Sequence, residues 1–124
     1  MIATRFFVSS SENSPLGSLF GHPTVITESP HELVGQFLTA EIDSTRCPLF
    51  EALPQILAEV AKEQLPNYQG GGEGHLLEVS KKGVRIDTLY AEPTAMDEVS
   101  FDDFCNVLAK WLAFVQEHEI RQQR

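Results

Sequence analysis

Residues 100–119 read SFDDFCNVLAKWLAFVQEHE, and this stretch decides how the rest of the chain must fold. Phe101, Phe104, Cys105, Leu108, Trp111, Leu112 and Val115 recur at three- and four-residue steps, the spacing of one broad apolar face on a helix. Ser100 suits the N-cap, because its hydroxyl can accept from a free backbone N–H of the first turn. Asp102 and Asp103 place negative charge at the positive end of the helix dipole. Beyond Glu119 the chain is polar, so a helix over 100–119 with a polar tail at 120–124 is expected. A face holding two Phe and the single Trp needs a wide apolar surface to cover it, and a small sheet supplies one.

Working outward, the nearest sheet signal is a hairpin. HLLEVS (75–80) and VRIDTLY (84–90) flank Lys81-Lys82-Gly83, a turn sequence. Leu77 and Val79 alternate with Glu78 and Ser80. Val84, Ile86, Thr88 and Tyr90 alternate with Arg85, Asp87 and Leu89. One face therefore goes to the core, under the last helix. Residues 91–99, with Pro93, read as a loop leading to Ser100.

Residues 2–8 (IATRFFV) are β-branched and aromatic, and read as a first strand. Ser9 to Ser18 is a loop by composition, continued by residues 19–23, with 24–27 a short strand or an extended approach. Ser29-Pro30-His31-Glu32 is a helix start: Ser29 as N-cap, Pro30 at the first position, Glu32 completing a capping box. The helix runs to about Asp43, and Gly35 within it marks close packing. A second helix covers about Pro48 to Gln64; the preferred reading starts it near Leu53, with Pro54 in its first turn and Leu49 to Ala52 as an irregular entry, and the alternative is a short first turn before a kink. Gly70, Gly71, Gly72 and Gly74 open like a phosphate loop, but no Lys-Ser/Thr follows, so they read as a flexible connector. The expected fold is one α+β domain over 1–124: about three helices on an antiparallel sheet of three or four strands, in the order β(β)ααββα.

At 124 residues the chain can bury roughly two thirds of its unfolded surface without disulfide or metal. Cys47 and Cys105 form no framework, which fits a reducing compartment. There is no apolar run long enough to span a membrane and no signal-peptide pattern at Met1 to Phe6, so the expected compartment is the cytoplasm. The net charge of −9 opposes a nucleic-acid or anionic-membrane ligand and permits a basic protein partner. His22, His31, His75 and His118 lack metal-ligand spacing, and no nucleophile, dinucleotide or metalloprotease motif is present. No metal, cofactor or catalytic residue is expected.

The charge distribution says more. Asp87, Glu92, Asp97, Glu98, Asp102 and Asp103 lie within 17 residues that contain no Lys or Arg. Helix-start acids and a solvated loop account for some of them. Together they are also candidate partner-binding residues, able to converge on one edge of the domain as an acidic dock for a basic protein.

Gly72-Glu73-Gly74-His75-Leu76-Leu77-Glu78-Val79, Val84-Arg85-Ile86, the run 99–104 and Trp111-Leu112-Ala113-Phe114 together resemble small bacterial immunity proteins. These are the antidotes of contact-dependent growth inhibition and related polymorphic toxin systems. The resemblance covers about Gly70 to Val115. Where the family pattern has a Gly-Asn entry to its hairpin, this chain has Glu73-Gly74-His75. The resemblance implies a non-catalytic cytoplasmic antidote that binds the toxic C-terminal domain of a secreted effector, and it transfers no individual binding residue. The expected partner is a cognate basic toxin domain, with a nuclease among the kinds that fit. The expected chain is a monomer or weak dimer with no nucleic-acid or membrane ligand. An acidic secretion chaperone and a small-molecule-binding domain are the alternatives.

Overall fold

The structure, a computed structural model, describes residues 2–9, 22–90 and 93–122. The fold is α+β, in the order β1 (Thr4–Ser9), β2 (His22–Thr27), α1 (Glu32–Glu41), α2 (Pro48–Ala61), β3 (Asn67–Gly71), β4 (His75–Ser80), β5 (Gly83–Thr88), β6 (Met96–Val99) and α3 (Phe101–Gln122). Strands β1 and β2 form a two-stranded antiparallel sheet, and β3-β4-β5-β6 form a four-stranded antiparallel meander. The loop expected over 9–18 and on to Gly21 lies mostly outside the described residues; His22 and Pro23 belong to β2.

The last helix packs as its spacing requires. The Asp103 N–H donates to Ser100 Oγ at 3.1 Å, so Ser100 is the N-cap. Phe104, Val107, Leu108, Trp111 and Val115 are buried. Trp111 has no exposed surface, and its indole N–H donates to the Ile42 carbonyl at 2.8 Å. Its ring stacks with Phe6 and Phe114, with centroids 6.2 and 6.0 Å away. The helix continues past Glu119 to Gln122, with an Arg121–Glu117 pair at 2.7 Å on the continuing turn.

Four expectations need correcting. Met96–Val99 is a strand rather than loop, because β5 offers it an unpaired edge. Asn67–Gly71 is likewise the edge strand β3; Gly70, bare of side chain, lies under the Tyr68 ring. Helix α2 begins at Pro48, the outer bound of the expected range, and not at the preferred start near Leu53. Pro48 occupies the first turn, where its missing N–H costs nothing, and Pro54 lies on the exposed side while Leu53, Leu57 and Val60 are buried. Helix α1 begins at Glu32 with His31 at the cap and no side-chain cap, and the Ser29–Pro30 peptide is cis.

Thr27 of β2 supplies what the α1 cap lacks. Its hydroxyl donates to the His31 carbonyl and accepts from the Gly35 N–H at 2.9 Å. A Cβ on Gly35 would lie 2.8 Å from the Val25 carbonyl oxygen, so glycine is what lets α1 sit against β2.

Both ends of α1 are also tied to the four-stranded sheet by histidine–carboxylate pairs. At the start, His31 Nδ1 lies 2.8 Å from Asp97 Oδ1 on β6. At the end, His75 Nδ1 lies 3.0 Å from Glu41 Oε2. An ionised carboxylate only accepts, so each pair calls for the ring tautomer with its hydrogen on Nδ1. Glu41 also accepts from the N–H groups of Glu73 and Gly74 at 3.2 and 3.1 Å. A Cβ on Gly72 would lie 2.2 Å from that carboxylate. The glycine run is therefore a nest for an anion, and the anion is the protein's own Glu41.

Candidate functional site

The alternation in β4 and β5 fixes two faces, and the register extends them across the meander. Tyr68, Val79, Val84 and Val99 form one inward row; Gly70, Leu77, Ile86 and Asp97 form the next. Their side chains are buried except for the half-buried Tyr68 and the bare Gly70. The opposite face carries the rows Gln69–Glu78–Arg85–Glu98 and Gly71–Leu76–Asp87–Met96. Gln69, Glu78, Arg85, Glu98 and Met96 are exposed, so no described element covers this side. Its half nearest the β4–β5 turn is an open concavity of about 680 Å³, lined among others by Gln69, Glu78, Lys82, Arg85, Glu98 and Ser100.

This outer face is electrostatically lopsided. Arg85 grips both oxygens of Asp87, Nε at 3.0 Å and a terminal nitrogen at 3.2 Å, and lies 3.9 Å from Glu98. The Asp87 carboxylate raises the already high Arg85 pKa further, so the guanidinium is always charged. Glu78 faces Arg85 across the ladder and accepts from the Gln69 amide at 3.1 Å. Three carboxylates thus surround one guanidinium. In the Asp87 row apolar side chains replace the charges, the exposed Met96 and the half-buried Leu76; Leu89 and Tyr90, expected in the hairpin arm, lie past the end of β5 and are exposed.

The six acids singled out in the sequence are distributed as follows. Asp87 and Glu98 share the outer face. Asp97 points the other way, because neighbours on a strand alternate; it is 7 % exposed and holds His31, and its Oδ2 is buried without a partner. Asp102 and Asp103 lie on the first turn of α3, just past Ser100. Glu92 lies outside the described residues. Sequence reasoning did not pick out Glu78 and Arg85 as site residues, although a two-residue turn at Lys81-Lys82 puts them opposite each other.

The reactive groups elsewhere are quiet. Burial, then a hydrogen bond to Asp43 at 3.2 Å, pushes the Cys47 thiol up; burial, then Asp102, does the same to Cys105. Both are poor thiolates. Among the described residues no group of three His, Cys, Asp or Glu is placed to hold a metal ion, and no helix is long and apolar enough to cross a membrane. No family model, curated protein or solved structure matches the chain.

Proposed function

We propose that this chain is a protein-binding antidote: an immunity protein that neutralises the toxic C-terminal domain of a contact-dependent inhibition or related secreted toxin. The observation that carries the reading is the uncovered outer face of the four-stranded sheet, where Glu78, Asp87 and Glu98 outnumber Arg85. A face left open in this way is available to a partner, and its charge selects a basic one. The resemblance of residues 70–115 to immunity proteins supplies the kind of partner.

The test is co-expression. Cells carrying this chain should survive the cognate toxin domain, and the two should co-purify as a 1:1 complex that loosens with salt. The triple variant Glu78→Gln, Asp87→Asn, Glu98→Gln should slow association and weaken its salt dependence. Several unrelated effectors co-purifying with a dimer of this chain would replace the antidote reading with a secretion chaperone.

A further inference from the structure

We infer that the outer face is a two-part dock for a protein segment bearing an arginine next to an apolar side chain, and that Arg85 occupies the place this arginine takes. The inference rests on the docking reading above and adds where the partner sits and what it must displace.

Three observations converge on Asp87. First, the exposed apolar side chains near it share one neighbourhood. Leu76 and Met96 flank Asp87 in the same row, and Leu89 follows two residues later, just past the end of β5. Met96 is 52 % exposed, Leu89 44 % and Tyr90, next along, 82 %. Isolated exposed apolar residues are ordinary; an exposed Met96 and a half-buried Leu76 on either side of one carboxylate, with Leu89 next along the chain, resemble the centre of an interface, with the Gln69–Glu78–Arg85–Glu98 row as its polar rim.

Second, the carboxylate at that centre is already occupied. Arg85 holds both oxygens of Asp87 in the two-pronged geometry that an incoming arginine would use. Third, Arg85 has somewhere else to go, since Glu98 lies 3.9 Å away and Glu78 stands opposite it. The Arg85–Asp87 pair is exposed and thus weakly held. A partner that lays an apolar side chain over Leu76, Leu89 and Met96 removes water from Asp87. The pair formed there by its own arginine then becomes stronger than the exposed pair it replaces. A polycation with no apolar side chain gains no such advantage. Arg85 therefore lowers affinity for basic segments in general and favours those that also bury apolar surface.

The test uses a short capped peptide of alternating arginine and leucine, titrated by fluorescence anisotropy and mapped by backbone amide shifts. Shifts should centre on Leu76, Asp87, Leu89 and Met96. Arg85→Gln should bind roughly two- to fivefold tighter, the worth of one exposed ion pair. Met96→Asp should bind about tenfold or more weakly. Lys82→Gln removes a positive charge from the same face without touching Asp87, and should change little. In the Asp87→Asn background the Arg85→Gln gain should vanish. Equal gains from Lys82→Gln and Arg85→Gln would reduce the effect to net charge and overturn the competition. Shifts confined to the first turn of α3 would overturn the location. If a toxin domain is captured in cells while these variants bind the peptide alike, this inference falls and the antidote reading stands. If the peptide results hold while no toxin is neutralised, the dock stands and the antidote reading falls.

Discussion

Asp97 and Glu98 are neighbours on β6, yet they meet opposite surroundings. Asp97 faces inward, buried against His31 at the start of α1, and locks a helix to the sheet. Glu98 faces outward, exposed near Arg85, and locks nothing. The same contrast runs across the whole meander. On the inner face the side chains are packed into or against the core, so their value is in stability. On the outer face the side chains meet solvent and each other, so their value lies in what they offer to something else.

The contrast can be broken most forcefully from the inside. Trp111→Ala removes the largest fully buried side chain along with its hydrogen bond to Ile42, and should cost about 3–5 kcal/mol in urea unfolding. A cost near that of a surface substitution would mean that the core does not depend on this ring.

The sharper comparison is between the two neighbours. Asp97→Ala leaves the His31 ring without its acceptor and should cost about 1–3 kcal/mol. Glu98→Ala should stay within about 0.5 kcal/mol. Equal costs would remove the distinction between the faces at this strand.

A smaller effect depends on pH. Glu119 on α3 accepts from the Thr45 N–H at 2.9 Å and from the Thr45 hydroxyl, tying the α1–α2 connection to the last helix. Those hydrogen bonds, the Thr45 hydroxyl first, hold the Glu119 carboxyl below its ordinary value. A depressed carboxyl contributes stability that is present above the unfolded-state value and is lost as pH falls through the folded one. The gap in urea midpoint between the natural chain and Glu119→Gln should therefore narrow as pH drops below the usual carboxylate range. A gap that stays constant would show that the Thr45 contacts do not need the charge.

The smallest stability effect belongs to the outer face. Glu78→Gln, Asp87→Asn and Glu98→Gln together should move the unfolding midpoint little, since exposed pairs are screened by water and contribute little. A large loss would mean that this face serves the fold rather than a partner.

Much of the fold was legible in the residues. The Ser100 cap, the α3 stripe, the β4–β5 hairpin and the close approach at Gly35 each follow from a local rule, either spacing, capping or the absence of a side chain. The edge strands β3 and β6 were not legible. Glycine-rich Asn67–Gly71 and acidic Met96–Val99 have little strand propensity of their own; they are strands because β4 and β5 present unpaired N–H and C=O groups to them. Once Met96–Val99 is a strand, alternation follows, and the acidic run divides. Asp97 turns to the core and Glu98 to solvent.

The sequence by itself determined the periodicities, the net charge and the acidic composition of the segment before α3, because these depend on residue type and spacing alone. Only the tertiary structure decided that His31 and His75 would fasten the two ends of α1, that the glycine run would enclose Glu41, and that Arg85 would sit on Asp87 between Leu76 and Met96. Those outcomes join residues far apart in the chain or depend on strand register. No local propensity encodes which side of a strand a carboxylate will face until the neighbouring strand has set its pairing.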